Sequence, residues 1–418
     1  MLEQSDPLDQ EPNLSRREFL QLAGVTAAGL LLGSCQSSTR KPAGTPVARV
    51  AIGQSATYDR AALERQVQEL IDQLGGLSDV VKRGDSVAIK TNLTGGIYSG
   101  TLPGVAPIES FVTHPEVVRA LVKQVQAAGA KEVFIVEAVD DWATYRQWGY
   151  EDMAADTGAT LIDLGKPKPY SDFVEARVGA DSYIYESFIF NQLLTDVDVF
   201  MSVSKMKIHY LAGVTHTLKN LYGLAPLQFY RLNPADPNRT GFHGTGEQTR
   251  SRLPRIIVDL NRARPIHFSL VDGIKTTQGG EGPWISTLAA IEPGVIIAGK
   301  NCVATDAVAT AVMGHDPTGD YPEAPYLRGD NHLNLAVAKG LGTNRLEEIE
   351  VLGTPIETVK SSLSRPGNRI RPPIDKRLLV ARRLRGGRPA DKPQTHGNSA
   401  RTLIGFGRSV VLKASRAL

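Results

Sequence analysis

The chain has 418 residues and a formal net charge of +3. That charge is uneven: residues 365–418 hold 14 Lys and Arg against two Asp and Glu, a local charge of +12 that leaves −9 on the rest. An acidic body disfavours a nucleic-acid partner, and only two cysteines, Cys35 and Cys302, exclude a disulfide framework and an iron–sulfur cluster.

The N-terminus carries Ser15-Arg16-Arg17-Glu18-Phe19-Leu20, followed by an apolar run from Leu22 to Leu32. The run is short of the ~20 residues a spanning helix needs. A charged segment with paired arginines before a short apolar run predicts a twin-arginine signal, with the twin-arginine translocase as partner during export. The run ends in Leu32-Gly33-Ser34-Cys35, the pattern of a lipobox. Residues 1–35 are therefore expected to be signal peptide and lipobox, with Cys35 as the lipidation site. Residues 36–46 are small, polar and proline-containing, as a tether should be. The expected location is the periplasmic or outer face of the cell membrane, or the outer membrane, with membrane lipid as partner.

Residues 47–364 alternate apolar strand runs with amphipathic helical patterns. Strands are expected at 47–52, 86–90, 132–137, 160–163, 197–203, 266–271 and 295–298. Helices are expected at 60–74, 115–128, 248–262 and 303–313. This order predicts an α/β domain with a mainly parallel sheet flanked by helices. Cys302 opens an apolar helical pattern and is expected to be a buried small hydrophobe. The basic tail, 365–418, includes two apolar-basic segments at 376–385 and 401–418. Such segments either lie on an anionic membrane surface or stay solvated as a disordered tail.

Ligands in open α/β sheets bind beyond the carboxyl ends of the strands. Polar groups follow four of the expected strands: Lys90 and Asn92; Glu137; Lys205, Lys207 and His209; and Asp272, then a loop ending in Gly279-Gly280-Glu281-Gly282-Pro283. That loop offers backbone N–H groups to an anion but lacks the lysine of a nucleotide P-loop. The densest stretch, residues 204–226, gathers Lys205, Lys207, His209, His216, Lys219 and Asn220 between apolar flanks. Thr215 or Thr217 is expected to cap a short helix that places His216 and Lys219 on one face. Thr113 is expected to cap a helix starting at Pro115, with His114 facing the crevice. His243 lies in a glycine-rich loop, whereas His267, inside a strand, reads as structural.

Imidazoles beside amines suit proton transfer or metal binding. Lys90, Asn92, Lys205, Lys207, Asn220, Asp272 and Glu281 are thus candidates for holding a small anionic ligand. His114 and His209 are candidate acid/base groups, and His216 and His243 candidate metal ligands. The same features also fit a non-catalytic metal- or ligand-binding lipoprotein, or an envelope assembly factor.

Five stretches carry a family resemblance: residues 87–93, 113–137, 199–226, 270–283 and 301–314. Together they resemble the uncharacterised family called domain of unknown function 362, across a core of about residues 86–315. Some relatives hold ferredoxin-type clusters, for which this chain lacks the cysteines.

The stretch from His209 to Lys219 is also similar to part of the nickel-pincer lactate racemase family, as is Thr113-His114. That likeness implies His114 and His209 as opposed acid/base residues on a 2-hydroxy acid. It implies Lys219 as the carrier of a nickel pincer, and His243 as a ligand to nickel or another divalent metal. Thr217-Leu218 stand where that family has Gly-Gly.

Overall fold

A computed structural model describes residues 48–139 and 141–360. The chain divides into a unit of residues 1–369 and a second of residues 370–418, and every described residue belongs to the first. Cys35, the expected signal peptide and tether, and the basic tail lie outside the described residues.

The described residues form twelve strands: β1 (Ala48–Gln54), β2 (Ser86–Lys90), β3 (Glu132–Glu137), β4 (Thr160–Asp163), β5 (Phe173–Arg177), β6 (Ser187–Asn191), β7 (Val199–His209), β8 (Gly213–Thr215), β9 (Phe268–Gln278), β10 (Ala289–Ile291), β11 (Val295–Gly299) and β12 (Ile349–Gly353). The main sheet runs β12-β1-β11-β9-β7-β2-β3-β4, with β10 paired to β9 and β8 to β7. From β9 to β4 every junction is parallel, as is β12 with β1. β11 joins β9 and β1 antiparallel. β5 and β6 form a separate hairpin.

The helices that bear on the site are α1 (Arg60–Gln73), α2 (Pro115–Ala127), α3 (Tyr150–Thr157), α4 (Thr217–Asn220), α5 (Gln248–Ala263), α6 (Cys302–Val312) and α7 (His332–Ala338). They cover both faces of the sheet. Strand side chains alternate between faces, so Val87 and Ile89 join one apolar core with α1 and α2, while Ala88 joins another with α5. Met201 and Val203 face the first core and Phe200 the second. A third core packs α6 against β1 and β11. The α/β fold with a mostly parallel sheet is as expected.

Two strands run further than their apolar runs suggested. β7 continues through Lys205, Lys207 and His209, and β9 through Asp272 and Gly273. Those residues are strand residues, not loop residues. The cause is visible in the alternation: Met206 and Ile208 point into the third core, while the lysines and His209 take the other positions. Between Lys205 and Lys207 the pairing with β9 slips, from Asp272 to Thr277. Bulges of this kind re-aim side chains beside functional sites. Gly273 lies at the slip, where a Cβ would come within 2.8 Å of Met206 and of Val295.

Candidate functional site

The carboxyl ends of β2, β3, β7 and β9 carry two buried ion pairs. Lys90 Nζ lies 2.8 Å from Glu137 Oε1. It also donates to the Thr91 carbonyl at 2.7 Å and to Asn220 Oδ1 at 3.3 Å. Glu137 accepts in addition from the backbone N–H groups of Leu93 and Ala138. Gly223 closes over this pair: a Cβ there would sit 2.3 Å from Glu137 Oε1. Asn220 binds the Lys90 and Val203 carbonyls and Ser202 Oγ, and Asn92 Nδ2 reaches Asn220 Oδ1.

In the second pair, Lys205 Nζ meets Asp272 Oδ2 at 2.9 Å, with both side chains fully buried. Asp272 also accepts from Tyr58 Oη and from the His114 backbone N–H. A buried ion pair is tolerated when its remaining hydrogen-bonding capacity is filled. These two are, so Lys90, Lys205 and Asp272 have internal partners and are not free charges facing a ligand.

His114, not Thr113, caps α2: its Nδ1 accepts from the Glu116 N–H at 3.1 Å. Thr113 instead bonds the Asn92 N–H and the Val203 carbonyl. The His114 ring stacks on Tyr58 at 3.8 Å between centroids. Burial lowers its pKa to about 4, against the opposing pull of Asp272.

The other end of the site is built around Lys219, on α4. Asp306 of α6, wholly buried, holds the start of that helix. It accepts from Thr217 N and Leu218 N, each at 2.9 Å, and from Thr217 Oγ1 at 2.6 Å. Burial pushes its carboxyl up to about 7, against those donors. Neither expected threonine caps α4 with its own side chain. His216 stands at the cap position without a side-chain cap bond.

Lys219 is half-buried and, among the described residues, has no carboxylate in ion-pair distance. Its ammonium lies 5.3 Å from the Tyr222 ring centroid. Burial lowers its pKa to about 8; Glu281 pulls the other way, while Lys90 and Arg239 add to the lowering. Lys207, fully buried beneath it, donates to the carbonyls of Phe111 at 2.6 Å and Glu281 at 2.9 Å. Burial, then Lys219, holds the Lys207 amine well below its ordinary value.

His209 Nδ1 accepts from Leu211 N and Ala212 N, both at 3.1 Å. That fixes the neutral tautomer with its proton on Nε2. Burial holds the ring well below 6.5, and Lys219, His243, Lys207 and His332 reinforce it. His243 is likewise lowered, to about 4, by burial and then Lys219. The Glu281 carboxylate accepts from Tyr210 N and Trp284 Nε1.

The structure thus gathers Lys207, His209, Lys219, His243 and Glu281, and adds His332 of α7 and Arg239, which the sequence did not single out. The charges that act most strongly on His114 are Asp272, Lys205, Glu116 and Glu109, and those that act most strongly on His209 are Lys219, His243, Lys207 and His332.

His216 is fully buried near His332 and His315, whereas His243 stands beside Lys219. The rings of His216 and His332 make no well-formed hydrogen bonds, although backbone groups of Thr215 and Ala212 lie close enough to favour protonation weakly. Burial takes both to about 3. Among the described residues no group of three or more His, Cys, Asp or Glu is placed to hold a metal ion.

Cys302 is buried, its thiol pushed up to about 12 by burial. His267 Nδ1 accepts from Phe200 N, a structural role. Two surface depressions, of about 260 Å³ beside Gln68 and Gln124 and about 620 Å³ beside Glu247 and Arg250, include none of the clustered groups.

Residues 87–311 match the family described as Domain of unknown function (DUF362). The chain belongs to that family. The DUF362 span contains every clustered residue except His332. A thylakoid-associated protein of Synechocystis sp. is 26% identical over 271 residues, which is 65% of this chain and 76% of that protein. Among solved structures, the lactate racemase apoprotein from Thermoanaerobacterium thermosaccharolyticum aligns with a TM-score of 0.33 and 12% identity, over 58% of this chain and 54% of that one. A Thermotoga maritima protein aligns at 0.30 and 13%, over 60% and 57%. This DUF362 chain therefore spans little more than half the length of either structure.

Proposed function

We propose that this DUF362 protein is a membrane-tethered protein that binds a small anion at Lys219 and exchanges a proton with it, as a racemase-like or isomerase-like enzyme would. The observation that carries the reading is a half-buried lysine that, among the described residues, has no carboxylate in ion-pair distance, and whose pKa is lowered to about 8. An amine poised near the working pH is suited to both holding an anion and moving a proton. His114 and His209 are held neutral by burial, so the proton-moving role passes to Lys219, and His209 offers its Nε2–H as a hydrogen-bond donor. Lys207 supplies further positive character beneath the ligand when protonated. Lys90–Glu137 and Lys205–Asp272 serve as the rigid floor.

A panel of small carboxylates and inorganic phosphate, screened by thermal shift, tests the binding. At least one should raise the melting temperature of the wild type and leave Lys219→Met unmoved. Equal shifts in both proteins would overturn the site. Deuterium uptake at the α carbon of a bound carboxylate in heavy water would mark proton transfer. Binding without uptake would favour a non-catalytic binder.

The tether rests on the Arg16-Arg17 motif and on Cys35 in its lipobox, and accords with the thylakoid-associated relative. Among the described residues, no helix is long and apolar enough to cross a membrane. Wild-type protein should fractionate with membranes and carry a diacylglycerol mass on Cys35, and Cys35→Ser should be released. An unmodified Cys35 in membrane-bound protein would contradict the lipid anchor.

A further inference from the structure

The ring of Tyr222 carries two cations. Lys219 Nζ lies 5.3 Å from its centroid and the Arg239 guanidinium carbon 5.2 Å. Among the described residues neither has a carboxylate in ion-pair distance, although Arg239 also donates through Nε to the Ala225 carbonyl. They are near enough for Arg239 to disfavour the charge on Lys219. His243 adds an imidazole 5.8 Å from the same ring. Lys219, Tyr222, Arg239 and His243 are all half-buried, so the group reaches the surface.

Two cations on one aromatic ring repel each other, and partial burial strengthens the repulsion. Cation–π attraction, about 0.5–1 kcal/mol at exposed sites, offsets part of it. The one carboxylate acting on Lys219, that of Glu281, is already engaged by Tyr210 and Trp284. Glu281 compensates part of this charge from outside ion-pair distance, but among the described residues neither cation has an anion in contact with it, so a ligand that meets both needs two anionic groups or a doubly charged one. The guanidinium also offers a planar fork of donors, matched to the paired oxygens of a carboxylate or phosphate.

We propose that the ligand of this site is a small dianion, with one anionic group held by Lys219 and the second, or the second charge of a phosphate, held by the Arg239 guanidinium. The inference rests on the reading of Lys219 as the anion site and narrows it to a charge class. Arg239 is then the residue that selects for the second charge.

The test is isothermal titration of the wild type, Arg239→Met, Arg239→Lys and Lys219→Met with propionate, succinate and inorganic phosphate, at pH 7 and fixed ionic strength. Wild-type protein should bind succinate or phosphate at least tenfold more tightly than propionate. Arg239→Met should lose that preference while retaining propionate binding, and Arg239→Lys should keep part of it. Lys219→Met should bind none of the three. If propionate and the dianions bind wild type equally, or if Arg239→Met keeps the preference, the dianion proposal fails and the Lys219 site stands. If no anion binds wild type, the reading of Lys219 fails as well.

Discussion

The Lys219 amine loses a proton more readily in the folded protein than in the unfolded chain, because burial penalises its charge. The unfolded chain therefore holds more protons between about pH 8 and 10.5, and this part of the stability grows as pH rises through that window. At neutral pH the charged amine is a cost, as expected where a site is kept ready for a ligand. Lys219→Met should raise the unfolding free energy without ligand by about 1–2 kcal/mol, since each tenfold loss of proton affinity corresponds to about 1.4 kcal/mol and the site is only half-buried. Urea unfolding at pH 7 measures it, and a loss of stability would mean that Lys219 has a structural partner. Asp306 was also there to be noticed, as the lone acid in the apolar run from Cys302 to Val312. Arg239 was not: it sits in a polar, proline-rich stretch where nothing distinguishes it from a solvated arginine.

Among the elements, α4 is the one that aims Lys219. With four residues it cannot form on its own, because nucleating a helical turn is unfavourable. It is held instead by Asp306, which takes the N–H groups of Thr217 and Leu218. Asp306→Ala would strand both donors in a buried setting. The expected loss is about 2–4 kcal/mol, from the cap and the unsatisfied N–H groups. Anion affinity should fall as well, since Lys219 is no longer positioned. Unfolding curves and titration of Asp306→Ala and Asp306→Asn check this. Asn keeps one acceptor and should recover part of the loss; no difference between the two would remove the positioning role.

The limits of β2, β3 and β4 followed from their apolar runs. β7 and β9 overran theirs because Lys205, Lys207 and Asp272 read as loop residues until their internal partners are seen. The alternation of Met206 and Ile208 with the lysines and His209 was the legible sign of strand. The pairing of Lys205 with Asp272, 67 residues apart, was not legible in the sequence.

For the molecule as a whole, the buried histidines set the acid limit. His114 and His243 are lowered to about 4, and His216 and His332 to about 3. Each stays neutral in the fold while the unfolded chain takes up a proton near pH 6.5, so stability falls as pH drops from about 6.5 towards 4. Each contributes up to about 1.4 kcal/mol per pH unit in that window. Asp306 acts the other way: its raised pKa makes the fold gain protons between about pH 7 and 4, which stabilises on acidification. Among the described residues, six lowered histidines, counting His209 and His267, against the two raised carboxyls of Asp306 and Asp163 predict a net loss. Urea midpoints from pH 7 to 4.5 should fall steeply, and a flat profile would mean that these rings titrate normally.

The proposed anion site turns on Lys219, an amine lowered to about 8. Competitive acylation of the lysines across pH 6 to 11, read peptide by peptide by mass spectrometry, measures that amine directly. The predicted result is a midpoint near 8 for Lys219 in the free protein. Saturating succinate or phosphate should move it at least one pH unit higher, because an anion binds the protonated form. A midpoint at the ordinary lysine value of about 10.4, unmoved by either anion, would contradict it.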